Sequence, residues 1–197
     1  RMISLWLVFL LFFSFMPADF ISVFAQEDTI FLSTVEDFRV LSKKCSLDTW
    51  SQGKQILLMN DLDFTGNEFI PIPTFGGTFD GGGHTISGIV LPAGSPVQGV
   101  FRYIQKSGLV QNLNVSVSIS SGEGKDTFGG IAGNNRGNIQ NCRFSGNISG
   151  KSIVGGIVGI NESEGRIGNC VSQGILSSQK YTGGIVGENF GILLKCT

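Results

Sequence analysis

Histidine, proline, tryptophan and tyrosine are scarce in this chain of 197 residues. His84 is the sole histidine, so the two-histidine H-E-x-x-H zinc site of metalloproteases cannot be built. Charged residues make up only 15% of the chain and the formal net charge is -1, which provides no basic face for nucleic acid and no polybasic membrane patch. We therefore expect no cofactor, no metal site and no nucleic-acid partner.

Glycine is absent from the first 50 residues, and all 29 glycines follow them. Each glycine inside a helix costs about 1 kcal/mol relative to alanine. The glycine-rich part of the chain is therefore not a helical repeat.

One long apolar run stands at the N-terminus, at residues 3–15. It is too short to span a bilayer comfortably, and Val23 and Ala25 provide the small residues that a signal peptidase recognises. We predict a signal peptide over 1–25 and a mature chain without a transmembrane domain. A retained N-terminal membrane anchor is the alternative.

Two short motifs recur in phase in the second half of the chain. The first reads GNIQNC, GRIGNC and GILLKC, and GLVQNL is an earlier copy. Counted from GLVQNL onward, the final residues of successive copies are 29, 28 and 26 residues apart. The second motif reads GGIAG, GGIVG and GGIVG, after a degenerate QGVFR. Two motifs that keep phase over four copies indicate a repeat architecture.

The short apolar strings between glycine and asparagine residues predict brief strands joined by tight bends. We expect three strands in each repeat, and parallel stacking that places equivalent residues of neighbouring coils about 4.8 Å apart. The predicted fold class is all-β: a right-handed parallel β-helix, or β-solenoid, with a short N-terminal capping helix.

The repeat positions predict a structural role for each residue type. Glycines allow positive φ angles at bends and close approach of backbones, isoleucines form an inward ladder, and asparagines stack at a bend where they tolerate the left-handed conformation. A second ladder should contain Ile139, Ile167 and Leu193, and Lys195 interrupts the asparagine stack that begins at Asn112. The structural repeat residues are Gly130, Ile131, Gly133, Gly156, Ile157, Gly159, Gly184, Ile185, Gly187, Asn141, Asn169, Cys142, Cys170 and Cys196.

Three of the four cysteines occupy one repeat position, and Leu113 fills that position in the earlier copy. Leucine neither pairs nor binds metal, so we predict that the three cysteines are reduced core residues. Export favours oxidation and the stacking distance permits a disulfide, so distance alone does not exclude a bond. Cys45 lies outside the ladder.

The motifs resemble those of the bacterial GLUG repeat over residues 98–197. Upstream, residues 61–89 resemble the segment that precedes such repeats and those of pectate-lyase-like β-helices. The resemblance implies a secreted or cell-surface protein, either adhesin-like or similar to the region ahead of the protease domain in immunoglobulin-A-cleaving metalloproteases.

Residues 33–45 predict a short amphipathic helix at about 34–44, with Ser33 as N-cap, Glu36 three residues later, and an apolar face. Such a helix suits the open end of a solenoid, which exposes core and strand edges. We divide the chain into a signal peptide (1–25), an N-terminal cap (26–54), the leading coils of the β-helix (55–97), and GLUG-type repeats (98–197) that stop within a coil.

Two functions follow from these observations. The first is a non-catalytic extracellular module for surface presentation or adhesion, a piece of a larger secreted protein whose partner is an extracellular protein or glycan. The alternative is a carbohydrate-active β-helix enzyme, or its accessory stalk, which would use Asp61, Asp63 and Asp80 as paired carboxylates. An enzyme should have a cleft in which carboxylates converge, whereas a stalk should have smooth faces.

Overall fold

The computed structural model describes residues 29–91, 96–120 and 126–197; the predicted signal peptide lies outside these ranges. The described residues form one helix, α1 (Val35–Lys44), and 21 parallel-paired strands in four sheets. Sheet 1 has seven strands: β1 (Thr29–Leu32), β2 (Gln55–Leu58), β5 (Thr78–Asp80), β9 (Leu109–Gln111), β13 (Asn138–Gln140), β17 (Arg166–Gly168) and β21 (Ile192–Leu194).

The other three sheets follow sheet 1 along each coil. Sheet 2 contains β3 (Leu62–Asp63), β6 (Thr85–Ile89), β10 (Asn114–Ser120), β14 (Arg143–Ser149) and β18 (Val171–Ser177). Sheet 3 contains β7 (Val97–Gln98), β11 (Thr127–Gly129), β15 (Ile153–Gly155) and β19 (Tyr181–Gly183). Sheet 4 contains β4 (Ile72–Phe75), β8 (Phe101–Ile104), β12 (Ala132–Asn135), β16 (Val158–Asn161) and β20 (Val186–Asn189).

The chain winds through these sheets in about six turns, and every strand pairs with its equivalent in the neighbouring coil. The predicted all-β parallel β-helix is confirmed. A complete repeat holds four strands, however, so the expectation of three was wrong. The fourth strand arises because the chain turns sharply within the GGIxG motif. A Cβ added to Gly129, Gly155 or Gly183 would collide with the carbonyl oxygen of the residue three positions later. This bend divides the motif between sheets 3 and 4.

The core changes composition along the solenoid axis. Near the N-terminus, Phe75, Phe79 and Phe101 pack together with ring centroids 5.3–6.2 Å apart. In later coils the buried positions hold mainly isoleucine, valine and cysteine. In the last coil, Ile192, Leu193 and Leu194 are exposed.

Helix α1 covers the N-terminal end of the core. Its Phe38 is fully buried, with its ring centroid 5.5 Å from those of Phe64 and Phe69, and Ser42 Oγ donates to the Pro71 carbonyl at 2.8 Å. These partners adjoin β3 and β4, which are edge strands of their sheets. The capping helix predicted from the sequence is therefore present.

The N-cap of this helix differs from the prediction by one residue. Thr34, not Ser33, is the N-cap: Thr34 Oγ1 accepts from the Asp37 amide at 3.1 Å. Asp37 Oδ2 in turn accepts from the amides of Ser33 and Thr34 at 3.0 and 2.9 Å. The Asp37 carboxylate thereby accepts hydrogen bonds from two amides at the start of the helix. The sequence had assigned this role to Glu36.

Candidate functional surface

The isoleucines of the GGIxG motif lie at the bend between sheets 3 and 4. Ile131 and Ile157 are fully buried, and Ile185, in the last coil, is partly buried. The Ile131 amide donates to the Ile157 carbonyl and the Ile157 amide to that of Ile185, both at 2.9 Å. These three residues therefore stack as one column.

The flanking glycines allow neighbouring backbone segments to approach. A Cβ on Gly130, Gly156, Gly133, Gly159 or Gly187 would collide with atoms of a neighbouring strand or coil, whereas Gly184, in the last coil, has nothing within 4 Å. The second predicted ladder is also in register, with Ile139 opposite Ile167 and Ile167 opposite Leu193.

The asparagine column at the bend after sheet 1 adopts the left-handed conformation. Asn112, Asn141 and Asn169 have φ angles of 54°, 54° and 53°, and Lys195 continues the series at 52°. The amide side chains are linked by hydrogen bonds of 3.3 and 3.4 Å. Asparagine suits this position because its side chain tolerates positive φ.

The cysteine column follows directly. Cys142 and Cys170 are buried, Cys196 is half-buried, and all four cysteines of the chain are free thiols. The thiols of the column donate to nearby backbone carbonyls at 3.3–3.9 Å. The neighbouring Cys170 thiol and burial raise the pKa of Cys142 well above its usual range, and burial raises the pKa of Cys45 to about 12. Both thiols stay protonated at neutral pH and are poor nucleophiles.

A second asparagine column was missed by the sequence analysis. Asn135 and Asn161 are fully buried at the bend between sheets 4 and 1, and Asn189 is the equivalent residue in the last coil. Asn135 Nδ2 donates to Asn161 Oδ1, and Asn161 Nδ2 donates to Asn189 Oδ1, both at 2.8 Å. A signal for the column exists, because each of these asparagines stands six residues after the first glycine of GGIxG.

The three candidate carboxylates are each engaged in a separate turn. Asp61 Oδ1 accepts from the Thr85 amide at 2.9 Å and lies 3.1 Å from His84 Nδ1. Asp63 Oδ1 accepts from the amide and hydroxyl of Thr65 at 2.9 and 2.7 Å.

The third carboxylate, Asp80, accepts from the Gly82 amide at 2.9 Å and from the side chains of Gln111 and Asn112 at 2.8 and 3.1 Å. Among the described residues no side chain bridges two of the three carboxylates. His84 is placed at a turn edge beside Asp61.

All three carboxylates have lowered pKa values. Hydrogen bonds from Thr85 and His84 lower the pKa of Asp61, and those from Thr65 lower that of Asp63. Partial burial acts to raise the pKa of Asp80, but the hydrogen bonds from Gly82, Asn112 and Gln111 outweigh it, so this pKa is also lowered. A glycosidase acid needs a raised pKa, which this trio does not supply.

The described residues contain no group of three or more histidine, cysteine, aspartate or glutamate side chains arranged to hold a metal ion. Within the same ranges, no helix has the length and apolar character needed to cross a membrane.

One exposed ion cluster links three successive coils. Lys106 Nζ lies 2.7 Å from Glu164 Oε1, and Arg136 Nη2 lies 2.8 Å from Glu164 Oε2. Hydrogen bonds from Lys106 and Arg136 hold the pKa of Glu164 below its usual range. Since these side chains are in contact with solvent, the cluster adds little stability and is screened by salt.

Stacked coils, inward ladders and glycine-dependent bends define the chain as a parallel β-helix repeat protein. It is similar to halomucin of Haloquadratum walsbyi (strain DSM 16790 / HBSQ001), with 34% identity over 151 residues that cover 70% of this chain. The chain spans only 2% of the length of that relative. No protein-family profile matches the chain, and no solved structure matches it significantly.

Proposed function

We propose that this chain is a non-catalytic, exported β-solenoid module of GLUG-repeat type that presents surface for adhesion. The observation that carries the proposal is the continuous parallel stack: strands of successive coils pair along four sheets, with one register shift between β6 and β10, so the outer side chains form extended faces. Such faces suit contact with another extracellular protein or a glycan.

Two further observations support this role. The three candidate carboxylates accept hydrogen bonds from turn residues or from the neighbouring coil and have lowered pKa values, which favours a structural role over acid catalysis. Similarity confined to 2% of halomucin fits a domain-sized unit of a very long chain. We infer a secreted or cell-surface location from the predicted signal peptide together with this similarity.

The proposal is tested by incubating the full chain with immobilised extracellular polysaccharides and measuring both retention and the release of new reducing ends. We expect retention without release, and unchanged retention for the Asp61→Asn, Asp63→Asn and Asp80→Asn variants. Release of reducing ends that disappears in any of these variants would instead establish the carbohydrate-active alternative. Absence of retention on every polymer and on whole cells would refute the adhesion role.

A further inference from the structure

A column of outward-facing side chains on sheet 1 is interrupted by one glycine. Asp80, Gln111, Gln140, Gly168 and Leu194 occupy equivalent positions in five successive coils. Gln111 Nε2 donates to Asp80 Oδ2, and Gln140 Nε2 donates to Gln111 Oε1, both at 2.8 Å. The amide series then stops, because Gly168 has no side chain to continue it.

The interruption leaves a groove of about 350 Å³ across β17. A Cβ built on Gly168 would have only the Leu194 carbonyl oxygen within reach, at 4.0 Å, so the space above this residue is open. Its backbone φ lies outside the left-handed region that favours glycine. Neither crowding nor backbone conformation therefore requires glycine here. The volume lies within the range of roughly 300–1,000 Å³ that is usual for ligand sites.

The outward-facing side chains around the groove combine positive charge, amides and one apolar group. They are Asn138, Gln140, Arg166, Asn169, Leu194 and Lys195. Among the described residues that line the groove there is no carboxylate. Lys106 and Arg136 share an ion pair with Glu164, whereas neither Arg166 nor Lys195 has an ion-pair or side-chain hydrogen-bond partner within the described ranges.

The two free cations stand at opposite ends of the groove. Arg166 begins β17 opposite Ile192, and Lys195 stands three residues after Ile192 in the next coil. The two backbones are therefore separated by roughly 10 Å along the strand direction. An occupant that forms an ion pair with each cation carries at least two negative charges. Arginine binds carboxylates through two parallel hydrogen bonds, and amides bind hydroxyl groups.

From these features we propose that the Gly168 groove binds an acidic oligosaccharide, with carboxylates at Arg166 and Lys195, hydroxyls at the amides and one sugar face against Leu194. The proposal rests on the adhesion role and assigns that role a ligand class. Gly168 determines specificity for the ligand, because a long side chain there would project into the groove between Arg166 and Lys195.

The experiment measures binding of a tetra-uronate prepared from alginate to the full chain by isothermal titration calorimetry, with cellotetraose as the neutral probe. We expect the tetra-uronate alone to bind, and its affinity to fall as salt is added. Arg166→Gln and Lys195→Gln should each weaken binding about tenfold, the loss expected for one charge-assisted hydrogen bond. Arg143→Gln, which removes an exposed cation from sheet 2, is the matched control and should bind as the wild type does.

Gly168→Gln is the decisive variant. Glutamine at this position continues the amide column, so the protein should remain folded by circular dichroism, unfold at the same or higher temperature, and lose binding. Wild-type affinity in folded Gly168→Gln, an equal loss in Arg143→Gln, or equal binding of cellotetraose would each overturn the proposal. Failure of the wild type to bind the tetra-uronate would also overturn the proposal. If the wild type were nevertheless retained on polysaccharides in the preceding assay, adhesion would use another surface.

Discussion

At the scale of single residues, asparagine performs two different tasks in this molecule. At the bend after sheet 1 it supplies a backbone conformation: φ is 53–54° and the links between side chains are long, at 3.3–3.4 Å. At the bend after sheet 4 it supplies hydrogen bonds: Asn135 and Asn161 are fully buried and the links are 2.8 Å. The two columns should respond differently to substitution.

Asn161→Ala should lower the free energy of unfolding by about 1–3 kcal/mol, since it removes the 2.8 Å hydrogen bonds that join Asn161 to the buried Asn135 and to Asn189. Asn141→Gly, the matched change in the other column, should alter it by less than about 0.5 kcal/mol because glycine adopts positive φ without strain. Urea unfolding followed by circular dichroism measures both values. Equal losses of unfolding free energy would contradict the assignment of hydrogen bonding to one column and backbone conformation to the other.

Single residues also show which parts of the site could be predicted from the sequence. The Asn112 column was predictable because each asparagine directly precedes the last position of its motif, which is Leu113 in the first copy and cysteine in the next two. The Asn135 column was obscured because Asn161 is four residues before the next glycine, whereas Asn135 and Asn189 are two residues before theirs. Asp61, Asp63 and Asp80 were candidates because of their spacing, but the donors to Asp61 and two of the donors to Asp80 come from a neighbouring coil and are not visible in a local pattern.

At the scale of elements, helix α1 and the number of strands in each repeat show again that a local sequence pattern does not predict contacts made in the folded chain. The sequence predicted Ser33 with Glu36 as the cap, whereas in the folded geometry Thr34 is the N-cap and Asp37 accepts from two amides. Likewise GGIAG is one apolar string, and its division between sheets 3 and 4 depends on the close approach of Gly129 to the Ala132 carbonyl. Periodicity predicts which elements exist but not where their ends lie.

Phe38→Ala should destabilise the protein by about 3–5 kcal/mol, because this fully buried ring packs on Phe64 and Phe69 at the solenoid end. Val40→Ala, at a 41% exposed position of the same helix, should have almost no effect. Hydrogen exchange checks the location: the Phe64 and Ile72 amides should lose more protection than the Ile157 amide. A uniform loss along the chain would contradict a local capping role for the helix.

At the scale of the whole molecule, the narrow core makes each inward residue important. Ile157 is fully buried between Ile131 and Ile185, so Ile157→Asp would bury an unpaired carboxylate and cost more than about 4 kcal/mol. Ile175 is 72% exposed on β18, and Ile175→Asp should cost about 1 kcal/mol or less. Denaturant titration of both variants tests the register: similar stability would mean that Ile157 does not face the core.

Because the strands of each coil pair only with those of the coils on either side of it, the stack has no fixed length built into its strand pairing. Ile131, Ile157 and Ile185 stack in successive coils, and Ile139 and Ile167 are paired in the same way. Gain or loss of one complete repeat by unequal recombination would therefore leave every remaining ladder intact and change the rod by about 4.8 Å. The length of the stack is thus a heritable trait that evolution can adjust in uniform steps.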